Sequence, residues 1–208
     1  MPPSRAEQKA KRGGGGPLGE DYFARYGSNT PGERKTDYSR SWRHYTFSLP
    51  EIFRLYRARF GRKPETFLDI GAADGSLVKK ALEKGLKARG LENSPYILAR
   101  IADPALRALI AEADAADAIK RMPAASCDVI VECAAQYLPP RRLDRYLRNV
   151  ARVSSGMVCL SVDARNYEGN RSGPHTGVRT FETKTWWRRK MREAGFPRCE
   201  ADYYFFKE

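Results

Sequence analysis

Cysteine and histidine are scarce, with 4 Cys and 2 His in 208 residues. Cys127, Cys133, Cys159 and Cys199 stand far apart with no C-x-x-C pair, a spacing that argues against a zinc site and against a disulfide-stapled secreted scaffold. Three of them lie in or beside apolar runs and read as reduced thiols of a cytoplasmic core. No run approaches the roughly 18 apolar residues of a membrane span, and the stretch MPPSRAEQKAKRGGGG lacks the apolar segment of a signal peptide. A soluble chain without membrane contact is expected. Acidic residues are also in deficit, 25 against 38 Lys+Arg, for a formal charge of +13. The excess is uneven: residues 1–64 hold 14 basic and 6 acidic residues, whereas the remainder holds 24 and 19. Basic character concentrated in this way fits either an anionic partner such as RNA or a solubilising tail.

The chain is long enough to bury one core without staples. Residues 1–20, polar and carrying Gly13 to Gly16, are expected to be a disordered basic tail. Residues 21–64 form an aromatic and basic leader, in which Tyr22, Tyr26, Tyr38, Trp42 and Tyr45 stand among charges. Its end, Leu49–Phe60, has the three-and-four spacing of an amphipathic helix with Pro50 in the first turn. The leader is expected to lie on the folded domain rather than float free, as a lid over a pocket or as cover for a sheet edge.

From residue 65 to 208 short apolar runs alternate with helical stretches. Strands are expected at Thr66–Ile70, Leu86–Leu91, Leu109–Ala113, Asp128–Cys133, Met157–Val162 and Ala201–Phe206. Helices are expected at Ser76–Lys84, Pro95–Ala102, Ala115–Arg121, Arg141–Val153 and Lys184–Ala194. There is no internal repeat. Such alternation predicts an α/β domain of right-handed βαβ units, its mostly parallel sheet covered by helices on both faces.

The segment Phe67-Leu68-Asp69-Ile70-Gly71-Ala72-Ala73-Asp74-Gly75-Ser76-Leu77 ends a strand, turns through glycines and opens a helix. In an open α/β sheet the ligand crevice lies outside the strands' carboxyl ends, where glycine lets backbone approach a ligand. A glycine turn alone is a weak signal. Here Asp69 lies in the strand end, and Glu92 closes the second strand 22 residues beyond Ile70. A carboxylate there accepts both ribose hydroxyls of a nucleoside.

These residues resemble the class I S-adenosylmethionine-dependent methyltransferases, of the general small type. L-D-I-G-x-x-x-G is similar to the family's first motif, and Gly90-Leu91-Glu92-Asn93-Ser94-Pro95-Tyr96 to its acidic second-strand end. Ala113-Asp114-Ala115 resembles the third-strand motif, Cys127 to Glu132 the fourth strand, and Gln136-Tyr137-Leu138-Pro139-Pro140 the "E-H-L-P-P" that follows it. Pro174-His175-Thr176 and the stretch from Lys184 through Phe196 are similar to the family's closing region, so the likeness covers about residues 65–208.

The resemblance implies a Rossmann-like, doubly wound sheet of six or seven strands, with a terminal antiparallel hairpin that is shortened or completed from elsewhere. It implies S-adenosyl-L-methionine as cofactor. Asp69 with the backbone of Gly71, Ala72 and Gly75 would hold the methionine part, Asp69 or Asp74 facing the ammonium group. Glu92 would bind the ribose, Asn93 or Ser94 would flank the adenine, and Asp114 and the Ala115 N–H would meet its edge. Cys133 and Ala134 would border the sulfonium. Candidates on the acceptor side are His175, Asp163 and Tyr137; His44 in the leader is weaker. The fourth strand is not followed by D/N-P-P-Y, and no Pro-Cys pair is present, so base methylation by those two routes is not expected. A small-molecule acceptor is favoured. An RNA acceptor, or a nucleic-acid-binding module using the arginines of residues 141–152 and 184–192, is the alternative.

Overall fold

The computed structural model describes residues 48–162, 164–165, 177–201 and 203–208. The basic tail, the aromatic part of the leader and His44 lie outside the described residues.

Helix α1, Leu49–Phe60, is capped by the Ser48 hydroxyl accepting from Glu51 N–H and stopped by Gly61 in the left-handed region. Seven strands then form one sheet: β1 Thr66–Ile70, β2 Lys87–Glu92, β3 Ile110–Glu112, β4 Cys127–Glu132, β5 Ser154–Leu160, β8 Arg198–Glu200 and β9 Tyr204–Phe206. Their order is β3-β2-β1-β4-β5-β9-β8. The first five are parallel, and β9 runs antiparallel between β5 and β8. Two residues of β6, Ala164–Arg165, pair with β7, Glu182–Thr183, apart from this sheet. The connecting helices are α2 Ser76–Glu83, α3 Pro95–Leu98, α4 Pro104–Ala108, α5 Ala115–Arg121, α6 Pro140–Val153 and α7 Lys184–Ala194.

Period-two alternation sends each strand's side chains to two cores. On one face Phe67, Val129, Val131 and Met157 pack with Ile52 and Tyr56 of α1 and Val78 of α2. On the other, Leu68, Ile70, Ile130 and Val158 meet Ile119 of α5, Leu143 and Leu147 of α6, and Trp187 of α7. The helical part of the leader is therefore a core element on the sheet face. Ile52 and Tyr56 are fully buried.

Asp128, at the amino end of β4, fastens α1 there. Its carboxylate accepts from Tyr56 Oη at 2.9 Å, Arg62 Nη2 at 2.7 Å, Ser155 Oγ at 2.9 Å and the Glu65 N–H at 2.8 Å. Burial opposes its charge, but the bonds from Arg62, Glu65, Ser155 and Tyr56 win and hold its carboxyl far below the usual range. Phe60 lies 6.5 Å from Phe206 at the same end. The last turn of α1 is thus fixed beside the amino end of β4.

Strand β5 starts three residues before the expected Met157 and ends at Leu160, the β6–β7 pair was not expected, and two further elements differ in kind from the sequence expectation. The helix expected over Pro95–Ala102 stops at Leu98, and α4 starts at Pro104. Proline biases Asp103 to extended backbone, and the Asp103 carboxylate caps α4 through the N–H groups of Ala105 and Leu106. The single strand expected at Ala201–Phe206 is a hairpin of β8 and β9 with three residues in each, so the antiparallel edge is the shortened one and both strands come from this chain.

Candidate functional site

Strand order runs outward in both directions from the β1–β4 pair, which makes the gap above them the topological switch point where open α/β sheets bind ligands. The carboxyl ends there deliver Asp69 and Gly71 from β1, Glu92 from β2, and Cys133 and Ala134 from β4. Asp69 is fully buried, in register with Gly90 and Val131.

The loop after β1 is stitched to the end of β2. Gly71 and Ala72 N–H both donate to the Leu91 carbonyl, at 2.8 and 2.9 Å, and Ala73 N–H donates to Glu92 Oε2 at 2.8 Å. The other oxygen of Glu92 accepts from the N–H groups of Asn93 and Ser94, each at 2.9 Å. Three of the roughly four acceptor directions of the carboxylate are thereby spent on backbone, leaving one for a hydroxyl. Asp74 accepts from Ser76 N–H at 3.0 Å at the start of α2. Ser94 is buried and Asn93 exposed, so they occupy different depths beside β2.

The two motif glycines have different jobs. Both adopt left-handed backbone, φ +80° at Gly71 and +76° at Gly75. A Cβ on Gly75 would run into Ile110 Cδ1 and come within 3.3 Å of Leu106 Cγ, so this glycine serves helix–strand packing. A Cβ on Gly71 would stand 3.5 Å from Cys133 Cβ and 4.0 Å from Ala134 N, over the gap between β1 and β4. That glycine keeps the crevice floor open.

Asp114 caps α5, its Oδ1 accepting from the N–H groups of Ala116 and Asp117 at 2.9 and 3.1 Å. Arg142 Nη2 reaches the same oxygen at 3.4 Å. The cap uses Oδ1 of Asp114, and Asp114 is exposed just after β3. Tyr137 ends a 3₁₀ turn, Ala135–Tyr137, directly after β4 and is half-buried. Asp163 and His175 lie outside the described residues. The flank of their segment is anchored here nonetheless: the N–H groups of Arg179 and Thr180 donate to the Gln136 carbonyl at 2.9 and 3.0 Å, and Thr180 Oγ1 donates to the Leu138 carbonyl at 2.9 Å.

One site residue was missed by sequence reasoning. Glu132 is fully buried at the end of a strand whose every residue is buried. Burial pushes its carboxyl up to about 7, against the opposing pull of Tyr146 and the Ala134 and Ala135 N–H groups, and Asp69 adds to the rise. The available signal was the acid itself, closing the apolar run Val129-Ile130-Val131.

These residues fit an adenosyl sulfonium cofactor. Two buried acids, Asp69 and Glu92, stand at the strand ends beside Gly71, at which a side chain would reach Cys133 Cβ at 3.5 Å. No group of His, Cys, Asp and Glu able to hold a metal occurs among the described residues.

No family model matches the sequence, and no curated protein matches it significantly. Solved structures do. An S-adenosylmethionine-dependent methyltransferase from Archaeoglobus fulgidus is similar with a TM-score of 0.53, 14% identity, and coverage of 77% of this chain and 75% of that one. The 1,6-didemethyltoxoflavin-N1-methyltransferase of Burkholderia thailandensis, solved with 1,6-didemethyltoxoflavin and S-adenosylhomocysteine bound, is similar over 99% of this chain and 89% of that one, at TM-score 0.55 and 17% identity. The chain has the class I methyltransferase fold. That fold does not dictate the reaction: the [4+2]-cyclase SpnF is also similar, at TM-score 0.51 and 23% identity over 70% of this chain and 56% of that one. In this methyltransferase fold the basic helices are partly neutralised by their own neighbours. Arg142 pairs with Asp114 and Asp117, Lys190 with Asp144 and Glu193, and Arg152 donates to the carbonyls of Ile119, Lys120 and Met122.

Proposed function

We propose that the chain is an S-adenosylmethionine-dependent methyltransferase acting on a small-molecule acceptor. The observation that carries the reading is the convergence of Asp69, Gly71 and Glu92 at the switch point, with Glu92 held by three N–H groups and one acceptor direction left. When bound, the cofactor supplies a methyl group already activated on a sulfonium. The protein's task is then to bind, align and exclude water.

Asp69, with Asp74 nearer the surface, accepts the ammonium group. Gly71 and Ala72 give the backbone surface on which the methionine part lies, and Gly75 keeps the turn packed. Glu92 takes one ribose hydroxyl through its remaining acceptor direction, Ser94 and Asn93 border the adenine, and Asp114 with the Ala115 N–H reads its edge. Cys133 and Ala134 form the floor beneath the reacting atoms. On the acceptor side Tyr137 offers a hydroxyl, and Asp163 and His175 are the candidates for removing a proton where the acceptor requires it.

A small acceptor is favoured by two things: the bound 1,6-didemethyltoxoflavin of the Burkholderia thailandensis enzyme, and the pairing of Arg142, Arg152 and Lys190 with neighbours on their own chain. The proposal includes a cytoplasmic site of action, supported by four reduced cysteines, three of them buried. No helix among the described residues is long and apolar enough to cross a membrane. A screen with S-adenosylmethionine labelled at the methyl group, run across small-metabolite, protein, RNA and DNA fractions, tests the reading. Label is expected in the small-metabolite fraction; incorporation confined to RNA would move the acceptor to nucleic acid, and none anywhere would contradict methyl transfer.

A further inference from the structure

Glu132 has no place in the roles above, yet its surroundings are the most specified of any acid near the crevice. Its Oε1 accepts from Tyr146 Oη at 2.6 Å, from Ala134 N–H at 2.9 Å and from Ala135 N–H at 3.0 Å, and Oε2 accepts from Ala135 N–H at 3.0 Å. Its main chain continues the sheet, the Ser161 N–H donating to the Glu132 carbonyl at 2.8 Å. The main chain is thus held by the sheet, and the side chain by helix α6 and the turn that follows.

That turn matters because it is the β4 wall of the crevice. Ala134 N lies 4.0 Å from where a Gly71 Cβ would stand, and the 3₁₀ turn Ala135–Tyr137 receives the 177–180 segment on the Gln136 carbonyl. A 3₁₀ turn of three residues has little stability of its own. Its first N–H groups need acceptors, and here one carboxylate takes two of them.

A buried carboxylate is an expensive way to cap a turn, since removing an acid from water costs several kcal/mol unless fully compensated. A neutral side chain of the same size would suit the fold better. Asp69, a second buried acid at the neighbouring strand end, makes the charge costlier still. Retaining an acid at that cost points to the site rather than to the fold.

We propose that Glu132 is a positioning residue of the cofactor site, its carboxylate clamping the Ala134 and Ala135 N–H groups so that the β4 wall stands at the distance the bound sulfonium requires, with Tyr146 holding the clamp. This rests on the methyltransferase reading.

The test uses the full chain, with S-adenosylhomocysteine as the calorimetric probe and melting measured on the same samples at pH 8. Glu132→Gln is expected to weaken binding at least tenfold while melting no lower than wild type, because its amide N–H2 faces the Ala135 N–H where Oε2 accepted, which loosens the clamp, while the buried charge is removed. Tyr146→Phe is expected to weaken binding by a smaller factor. Hydrogen exchange of the Ala134 and Ala135 amides is expected to accelerate at least tenfold in Glu132→Gln, with the β1 and β5 amides unchanged. Glu132→Gln binding as wild type does, or losing binding only in step with a lowered melting temperature, would overturn the assignment while leaving the methyltransferase reading intact. Failure of the wild type itself to bind would overturn that reading, and the assignment with it.

Discussion

Substituting alanine at Gly71 and at Gly75 separates a glycine kept for the ligand from one kept for packing. Both positions are left-handed, so either alanine brings a backbone cost of about 1 kcal/mol. At Gly75 the new methyl collides with Ile110 Cδ1 and crowds Leu106 at 3.3 Å. Overpacking of that kind costs about 1–3 kcal/mol more, for a total near 3 kcal/mol. At Gly71 the methyl would meet Cys133 Cβ at 3.5 Å, ordinary contact, so the backbone cost stands alone. For a chain of this length 1 kcal/mol moves the melting midpoint by about 2–4 °C, which predicts a fall of roughly 9 °C for Gly75→Ala and roughly 3 °C for Gly71→Ala. Calorimetric titration with S-adenosylhomocysteine should rank them in reverse, with Gly71→Ala the weaker binder well below its melting temperature. Equal melting temperatures would refute the packing argument at Gly75. Unaltered binding by Gly71→Ala would refute the assignment of Gly71 to the crevice floor.

Asp128→Asn should destabilise the protein at pH 7 by about 2 kcal/mol, since it removes the charge of a buried carboxylate with several hydrogen bonds, whose ionic partner Arg62 is half exposed. The Asp128 carboxyl is depressed in the folded state, so its contribution is complete above the unfolded value near 3.9 and is lost on acidification; urea titrations should show the gap narrowing below pH 4. Glu132 acts with the opposite sign. Its carboxyl is raised from 4.5 to about 7, so the native state holds the proton longer and this group's contribution falls as pH rises through that window. About 3 kcal/mol should be lost between pH 4.5 and 8, and thermal melts of Glu132→Gln should show a flatter profile over that range. Deleting residues 1–47 should leave a cooperative melt, whereas deleting through Arg62 should abolish folding. The longer cut removes the buried Leu49, Ile52, Leu55 and Tyr56 and the Arg62–Asp128 pair, each large side chain contributing about 2–5 kcal/mol against a total stability of about 5–15 kcal/mol. Circular dichroism of the two deletions decides it.

Local chemistry made most of the sheet readable. Strands β1 and β4 are largely apolar runs bounded by Gly, Pro or charge, β2 alternates exposed Lys87 and Arg89 with buried Ala88 and Gly90, and α1, α5 and α7 match their expected spans residue for residue because caps and periodicity agree. Asp103 was overlooked as a cap, which merged α3 with part of the following loop. The β8–β9 hairpin was read as one strand because its turn carries no glycine; Ala201 takes the left-handed position, φ +48°, at a residue type that gives no signal. In the site, Asp69, Gly71 and Glu92 were legible because strand-end position alone dictates where they point. The separate tasks of Gly71 and Gly75 were not, since they depend on Cys133 and Ile110, which are remote in sequence. Glu132 escaped for the same reason: its partner Tyr146 lies on the next helix, and a single acid at the end of an apolar strand does not announce what it bonds. The pairing of Arg142 and Arg152 with α5 likewise became visible only once α5 and α6 were side by side.

The central claim is that the gap above β1, β2 and β4 binds an adenosyl cofactor through Glu92. Titrating S-adenosylhomocysteine into the wild-type chain and into Glu92→Gln tests it most directly, because glutamine keeps the size of the side chain and removes the charge-assisted acceptor. Saturable binding by wild type, weakened at least tenfold in a folded Glu92→Gln protein, is the predicted result. No binding by wild type, or equal binding by both, would contradict it.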